Sequence, residues 1–264
     1  MFSIVDKREL NSKVVQMVVD APFVARKALP GQFIIFRATP YGERIPLTIA
    51  DYDRELGTVT IIFQKVGKST RELGSFEVGD AIEDFIGPLG VASHLDDMQK
   101  VCVIGGGLGT AIAFPQAKYL HGRGAHVDVI AGFRHRELVI LEEEMKFNTS
   151  RLFLTTDDGS YGEKGFVSDV LRLLVEAGET YDAVIAIGPL IMMKVVCDVT
   201  REFGIHTVVS MNSIMVDGTG MCGACRLTVG GETKFACVDG PDFDGHLVDF
   251  DEAMRRGVMY RSQE

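Results

Sequence analysis

The sequence lacks any long uncharged stretch, any excess of positive charge and any apolar leader. Its longest uncharged stretch, residues 101–117, contains four glycines and a proline. A bilayer requires about 20 mainly apolar residues, so this stretch makes a poor membrane span. Charges already appear at Asp6 and Lys7, and no secretory signal is visible. We therefore expect a soluble, cytoplasmic protein that does not enter membranes.

Positive charge is scarce relative to negative charge. The 264 residues include 27 Lys and Arg against 37 Asp and Glu, which gives a net charge of −10 at pH 7. Such a chain repels a phosphate backbone, which argues against nucleic-acid binding. Hydrophobic residues make up 46% and charged residues 24% of the chain, the composition of a folded globular protein of about two domains.

Cysteine is also sparse, and its five positions are unevenly placed. Cys222, Cys225 and Cys237 fall within sixteen residues, in a segment rich in glycine. Without a secretory signal, such clustering indicates a metal site rather than disulfides. Glycine lets a loop wrap closely around an inorganic core, so an iron–sulfur cluster is favoured. A structural zinc site and three inert thiols stay open.

The first hundred residues have the pattern of a β-domain. Short runs rich in Val, Ile, Phe and Thr, separated by Pro and Gly, lie at residues 14–19, 32–37, 45–50 and 58–66. Short strands with such turns predict an antiparallel barrel or sandwich.

From residue 100 the pattern changes to alternating strands and helices. Apolar runs lie at residues 101–106, 126–132, 151–156, 182–188 and 206–211, and helical segments lie between them at 111–120, 137–147, 165–177 and 190–203. This alternation predicts a parallel sheet of about five strands. We therefore expect a β plus α/β fold with an antiparallel β-barrel at 1–97, an α/β domain at 98–210 and a small region at 211–264.

Glycine- and hydroxyl-rich segments are candidates for binding phosphates. Residues 105–110 (GGGLGT), between a strand and a helix, would let a pyrophosphate approach backbone N–H groups at a helix N-terminus. Thr110 replaces the third glycine of the usual motif, and a turn without a ligand stays open. In the barrel, Arg44 of RIPLT and the GKST segment at 67–70 could hold further phosphates. Each of these two segments alone is typical of an ordinary barrel loop.

The order of these motifs, with DDGS at 157–160, Gly188-Pro189 and the terminal cysteine loop, resembles the ferredoxin–NADP reductase superfamily over nearly the whole chain. Within it, the chain is similar to the iron–sulfur electron-transfer subunits. Examples are the small subunit of the flavin-bifurcating NADH-dependent ferredoxin:NADP oxidoreductase and the electron-transfer subunit of dihydroorotate dehydrogenase. The resemblance implies FAD on the barrel, NAD(H) on a Rossmann-like α/β domain and a [2Fe-2S] cluster in a small C-terminal loop domain.

The resemblance also implies roles for individual residues. Arg44 would face the flavin phosphates, and Thr48, nearest to the chemistry, would hydrogen-bond the isoalloxazine near N5. The other flavin residues would be Pro46, Leu47, Ile62, Phe63, Gln64, Gly67, Ser69 and Thr70. The nicotinamide dinucleotide would lie on Gly106, Gly107, Leu108, Gly109, Thr110, Asp157, Asp158, Gly188 and Pro189. The resemblance favours NAD, but either Arg134 or Arg136 could meet the 2′-phosphate of NADP, so the choice between NAD and NADP stays open.

By the same resemblance, the cluster would be held by Asp217, Cys222, Cys225 and Cys237. Relatives of the dihydroorotate type have a cysteine where this chain has Asp217. An aspartate ligand is known from the NADH-dependent ferredoxin:NADP oxidoreductase branch. Alternative fourth ligands are His246, Asp239 and Asp242. Cys102 and Cys197 are poorer alternatives, because the sequence predicts them in a strand and a helix.

The implied function is hydride transfer between NAD(H) and FAD, with single electrons leaving through the cluster to a larger flavo-iron–sulfur partner subunit. No side-chain acid or base is required for hydride transfer, because positioning of the nicotinamide against the flavin carries it. The alternatives in the same class are a dihydroorotate dehydrogenase subunit and a reductase component of an oxygenase. In a different class, a zinc-stabilised redox sensor would bind NADH without turnover.

Overall fold

The computed structural model describes residues 1–258, and its first sheet is entirely antiparallel. The strands are β1 (Phe2–Glu9), β2 (Val14–Asp20), β3 (Phe33–Arg37), β4 (Ile45–Asp53), β5 (Thr58–Gln64), β6 (Ala81–Ile82) and β7 (Asp84–Leu89), with helices α1 (Pro22–Ala25) and α2 (Lys68–Gly74) between them. They lie in the order β6-β1-β2-β5-β4-β3-β7. The antiparallel barrel predicted for this region is confirmed as a half-barrel, and β1, β6 and β7 extend it beyond the four predicted strands.

The second sheet is the predicted parallel sheet. Its elements are β8 (Lys100–Gly106), α3 (Gly109–Gly122), β9 (His126–Phe133), α4 (Glu142–Phe147), β10 (Arg151–Thr156), β11 (Glu163–Lys164), α5 (Val167–Glu176), β12 (Ala183–Ile187), α6 (Leu190–Glu202) and β13 (Thr207–Ser210). The five predicted strands lie parallel in the order β10-β9-β8-β12-β13, and short β11 pairs beside β10. The predicted helix over 137–147 is shorter, because Leu141 has a positive φ of 58° immediately before α4.

The C-terminal region folds back onto the parallel sheet. It contains β14 (Arg226–Val229), β15 (Glu232–Phe235), β16 (Asp242–Asp244) and α7 (Phe250–Gly257). β14 and β15 form a hairpin, whereas β16 pairs antiparallel with β13 and adds a seventh strand to the second sheet. The domain boundaries at 97/98 and 210/211 stay a prediction. Residues 1–258 contain no helix long and apolar enough to cross a membrane.

One hydrophobic core joins all three regions. It includes Phe33 and Ile35 of the barrel, Cys102 and Ile104 of the parallel sheet, and Leu227 of the C-terminal hairpin. Separate cores fill the barrel and the opposite face of the parallel sheet. The shared core fixes the C-terminal region against the barrel and the sheet together, because packed interiors resist sliding.

A buried carboxylate, Asp128, ties together the amino end of the parallel sheet. It is fully buried on β9, and it accepts hydrogen bonds from Arg151 Nε at 2.8 Å and from the Tyr181 hydroxyl at 2.7 Å. Burial alone would raise the pKa of Asp128, but the hydrogen bonds from Arg151 and Tyr181 hold this pKa below its usual range. The charged form of Asp128 therefore depends on Arg151.

Arg151→Met should lower the free energy of unfolding by about 3–5 kcal/mol, because it leaves a buried carboxylate without its cation. Arg172→Met is the matched control. Both arginine side chains are 38% exposed, but Glu202, the partner of Arg172, is 56% exposed against 0% for Asp128. Urea unfolding at pH 7 measures the difference, and equal effects of the two substitutions would contradict this account. Without Arg151, burial raises the pKa of Asp128, so its carboxyl should take up a proton in the variant before it does so in the parent, and the Arg151→Met deficit should shrink as the pH falls from 7 towards the lowered pKa of the parent.

Candidate functional site: a cleft and a cysteine loop

A cleft of about 850 Å³ separates the barrel from the carboxyl edge of the parallel sheet. On the barrel side it is lined by Pro46, Leu47 and Thr48 of β4 and by Ile62 and Gln64 of β5. Ligands of open α/β sheets bind outside the carboxyl ends of the strands. The cleft therefore brings the predicted flavin strands to the predicted nucleotide edge.

The glycine-rich turn forms the sheet side of the cleft. Gly106, Gly107, Leu108 and Gly109 line it, together with Gly188 and Pro189 of the neighbouring β12–α6 turn. Gly107 has a φ of 56°, and a Cβ added there would meet no atom within 4 Å. α3 begins at Gly109, so the N-terminus of a fourteen-residue helix faces the cleft. This arrangement suits a pyrophosphate, because backbone N–H groups and the helix dipole favour negative charge there.

Opposite charges stand at the ends of β9 and β10. Arg134 and Asp157 both line the cleft and are exposed. The Asp157 N–H donates to the carbonyl of Phe133 at 3.0 Å, which joins the two strand ends. Asp158 is exposed beside the cleft, where its carboxylate accepts the Ser160 N–H at 2.9 Å. Hydrogen bonds from Ser160 hold the pKa of Asp158 below its usual range.

Six other predicted residues do not line the cleft. Phe63 is 1% exposed and packs in the barrel core, and Thr110 is 1% exposed behind Gly105. The other four lie at the β3–β4 loop and the start of α2: Arg44, Gly67, Ser69 and Thr70. There the Ser69 hydroxyl donates to the Glu43 carboxylate at 3.0 Å, and the Thr70 hydroxyl accepts the Gly67 N–H at 3.1 Å. A phosphate that reached Ser69 would have to displace Glu43.

Sequence reasoning missed much of the apolar lining. Phe166 and Ile191 line the cleft although they are 62% and 58% exposed. Each stands at the start of a helix that follows the carboxyl edge of the sheet, and that position is the signal that could have found them. The other unpredicted lining residues include Asn11, Lys13, Val14, Met192, Val195, Met211, Met215 and Pro241.

In the cysteine loop, Asp217 contacts Cys222, and Cys225 lies near Cys237; their role as cluster ligands stays a prediction. Asp217 accepts the Cys222 N–H at 2.9 Å and also interacts with the Cys222 thiol. Cys225 lies close enough to Cys237 to raise the pKa of the Cys237 thiol. Within residues 1–258, no three His, Cys, Asp or Glu side chains already converge on one metal ion. A two-iron cluster takes two protein donors on each iron, so these four residues are sufficient in number for one.

The pKa shifts of Asp217 and Cys237 show which proton each group holds in the absence of a metal. Hydrogen bonds from Thr219 and Cys222 hold the pKa of Asp217 below its usual range. Burial and the neighbouring Cys225 raise the pKa of the Cys237 thiol to about 12. Iron would therefore have to displace a proton from Cys237, since thiolates are the form that binds metal.

The alternative ligands have other partners. His246 lies 2.9 Å from the Thr200 hydroxyl, and Asp239 accepts the Phe235 N–H at 2.6 Å. Asp242 accepts hydrogen bonds from Ser93 and Gln116. Cys102 and Cys197 are buried in β8 and α6, and burial raises the pKa of both thiols.

The cysteine loop packs directly on the barrel sheet. Gly218 has a φ of 73°, and a Cβ there would lie 2.6 Å from Ile35 Cδ1 and 2.9 Å from Leu89 Cδ1. Ile35 on β3 is paired with Pro46 on β4, and Pro46 lines the cleft. The cysteine loop therefore packs on the strand pair that also lines the cleft.

A half-barrel joined to a parallel α/β sheet, with a cleft between them and a cysteine loop beside it, is the arrangement of the ferredoxin–NADP reductase superfamily. The family model "Iron-sulfur cluster binding domain of dihydroorotate dehydrogenase B" matches residues 212–249. This match identifies the cysteine loop as an iron–sulfur rather than a zinc site.

Similar proteins extend the match to the whole chain. A homologue of the dihydroorotate dehydrogenase B (NAD(+)) electron-transfer subunit from Thermotoga maritima is 45% identical, over 99% of this chain and 92% of that protein. The electron-transfer subunit from Streptococcus mutans is 35% identical, over 93% of this chain and 96% of its own. A solved structure of NADH-dependent reduced ferredoxin-NADP oxidoreductase, described for flavin-based electron bifurcation, contains a chain that is 44% identical. It superposes with a TM-score of 0.94 over 100% of this chain and 95% of that chain.

The chain therefore belongs to the family of dihydroorotate dehydrogenase B electron-transfer subunits and their homologues, which are oxidoreductase subunits. This membership supports the expected cofactor set of FAD, NAD(H) and an iron–sulfur cluster.

Cys225→Ser should reduce the iron content sharply, whereas Cys197→Ser should leave it unchanged. The pair is well matched, because both cysteines are 1% exposed and only Cys225 lies in the cysteine loop. Asp217→Ala should also lose iron or change the optical spectrum, since it removes one of four ligands. Iron and acid-labile sulfide are measured per chain after anaerobic purification. An Asp217→Ala protein with parental iron content and spectrum would exclude Asp217 as a ligand.

Proposed function

We propose that this chain moves hydride between NAD(H) and FAD and passes single electrons through a [2Fe-2S] cluster to a larger flavo-iron–sulfur subunit, as in flavin-bifurcating NADH-dependent ferredoxin:NADP oxidoreductase. FAD, when bound, would convert between the two-electron chemistry of nicotinamide and the one-electron chemistry of the cluster. The observation that carries the proposal is the cleft, which holds the flavin-type strands, the nucleotide turn and the neighbouring cysteine loop together.

The barrel would hold the FAD. Thr48 lines the cleft and is half-buried, a position from which its hydroxyl can reach a ring lying along β4. Ile62 and Gln64 would lie beside the ring, since alternate residues of β5 face the same side. Arg44 is exposed on the loop that leads into β4, where its guanidinium is free to meet phosphates.

The parallel sheet would hold the NAD(H). The turn at Gly106–Gly109 offers backbone N–H groups to the pyrophosphate, and the Gly188-Pro189 turn would shape the nicotinamide end. Asp157 and Asp158 would accept from ribose hydroxyls, and carboxylates at that place disfavour a 2′-phosphate by charge repulsion. We therefore favour NAD over NADP, although Arg134 lines the same cleft.

The cysteine loop would take electrons from the cleft. The contact of Gly218 with Ile35, and the pairing of Ile35 with Pro46, give a short packed route between them. Asp217 would supply one hard oxygen ligand beside three soft thiolates, so the two irons would be chemically unequal.

A larger partner subunit is part of the proposal, because electrons that reach the loop need an acceptor. The relatives are electron-transfer subunits by name, and one solved structure is of the bifurcating type. The second candidate is the dihydroorotate dehydrogenase subunit, which the family model favours. Purification of the native complex distinguishes the two, since a TIM-barrel flavoprotein partner would indicate dihydroorotate dehydrogenase.

Arg44→Ala should weaken flavin binding roughly tenfold to hundredfold, the loss expected for one charge-assisted hydrogen bond to phosphate. Arg26→Ala is the control, since Arg26 is an exposed arginine of the same barrel that lies over the Phe23 ring and away from the loop that leads into β4. Flavin affinity is measured by fluorescence during titration of the flavin-free protein. If Arg44→Ala retains flavin as tightly as the parent, Arg44 does not contact the flavin phosphates.

Gly107→Asn should slow the anaerobic bleaching of the flavin by NADH while flavin content stays normal. Asparagine tolerates a positive φ, so the fold is kept while a side chain enters the space that the pyrophosphate requires. Gly124→Asn is matched to it, because Gly124 also has a positive φ of 89° and open space, but lies outside the cleft. Equal bleaching rates in the two variants would show that NADH does not bind over the turn at Gly107.

A further inference from the structure

The segment that follows Cys237 is hydrogen-bonded to the connection that leaves the barrel and to the residue that follows β13. The carbonyl of Gly240 accepts the Val91 N–H at 2.7 Å, and the carbonyl of Pro241 accepts the Met211 N–H at 2.8 Å. Val91 lies in the connection that leaves the barrel, and Met211 follows β13 of the parallel sheet. Residues 240–242 therefore lie at a junction of all three regions.

The side chain of Asp242 extends this junction. Asp242 Oδ2 accepts hydrogen bonds from Ser93 Oγ at 2.5 Å and from Gln116 Nε2 at 3.1 Å, and Gln116 also donates to Ser93 Oγ at 2.8 Å. The Ser93 N–H donates to the Pro30 carbonyl of the barrel at 3.0 Å. Gln116 is completely buried on α3. These hydrogen bonds join one residue from each of the three regions.

This polar junction is costly for stability. Asp242 Oδ1 and Gln116 Oε1 are buried and have no hydrogen-bond partner within residues 1–258. Burial also raises the pKa of Asp242, against the hydrogen bonds from Ser93 and Gln116. Apolar groups of the same shape would be buried at lower cost, so the benefit of the polar contacts lies in selecting one arrangement of the parts.

We propose that Asp242 is a positioning residue that fixes the cysteine loop relative to the flavin side of the cleft. Asp242 follows the predicted cluster ligand Cys237 by only five residues, whereas its partners Ser93 and Gln116 lie outside the loop. Its neighbour Pro241 lines the cleft itself. The inference rests on the proposed function, in which electrons pass from the cleft to the loop and the placement of the two groups controls the rate.

Asp242→Ala, in the full chain carrying flavin and cluster, separates positioning from hydride transfer. NADH should bleach the flavin at the parental rate, whereas the cluster should be reduced roughly tenfold to hundredfold more slowly. Asp242→Asn keeps an oxygen that can accept from Ser93 and Gln116, so it should restore most of the rate. Asp244→Ala is the control, because Asp244 lies on the same strand and accepts the N–H of nearby His246 at 2.9 Å.

Amide hydrogen exchange gives a second readout that does not depend on electron transfer. Exchange across residues 212–242 should be faster in Asp242→Ala than in the parent, while β9 at His126–Phe133 is unchanged. If Asp242→Ala does not fold, Ser93→Ala removes the two hydrogen bonds of the Ser93 hydroxyl but keeps that between Gln116 and Asp242, and should show a smaller change of both kinds.

A parental rate of cluster reduction in Asp242→Ala, or in Ser93→Ala where Asp242→Ala does not fold, overturns the proposal. A parent protein that passes no electrons from NADH to the cluster overturns the proposed function instead. In that case unchanged exchange in Asp242→Ala would still overturn the positioning role, and faster exchange would support it.

Discussion

The contact between the cysteine loop and the barrel sheet is the constraint on which the rest of the molecule depends. Gly218 approaches Ile35 and Leu89 so closely that a side chain there would collide with both. Ile35 is paired with Pro46 on the wall of the cleft. Because packed interiors do not slide freely, this contact sets the separation between the cleft and the loop. The C-terminal strand β16, which joins the parallel sheet, holds the other end of the same loop.

Local signals in the sequence are enough to predict the two sheets and the sheet side of the cleft. Strand length and Pro or Gly punctuation indicate β2 to β5, and the alternation of strands with helices indicates the five parallel strands. The glycines at 105–109 follow a buried strand and precede a helix, which places them at the carboxyl edge in any parallel sheet. The spacing of the cysteines likewise indicates a metal-binding loop, because three thiols within sixteen residues can converge on one site.

Structural features that depend on the direction of a side chain, or on partners distant in sequence, could not be predicted from local sequence patterns. Phe63 lies in the barrel core because alternate residues of a strand face opposite sides, and Ile62 and Gln64 take the cleft side. Asp242 looked like a possible cluster ligand, but its partners Ser93 and Gln116 lie more than a hundred residues away in sequence. Phe166 and Ile191 carry no motif, and only their position at the start of helices that follow the carboxyl edge indicates that they line the cleft.

The most direct measurement is anaerobic addition of NADH to the isolated chain carrying flavin and cluster, with flavin absorbance and the EPR signal of the reduced cluster followed together. The account predicts that the flavin is bleached and that the EPR signal then develops in the same molecules. In protein stripped of flavin, NADH should leave the cluster oxidised, because nicotinamide transfers two electrons and the cluster accepts one. Reduction of the cluster at the same rate without flavin, or a bleached flavin that leaves the cluster oxidised, would contradict the account.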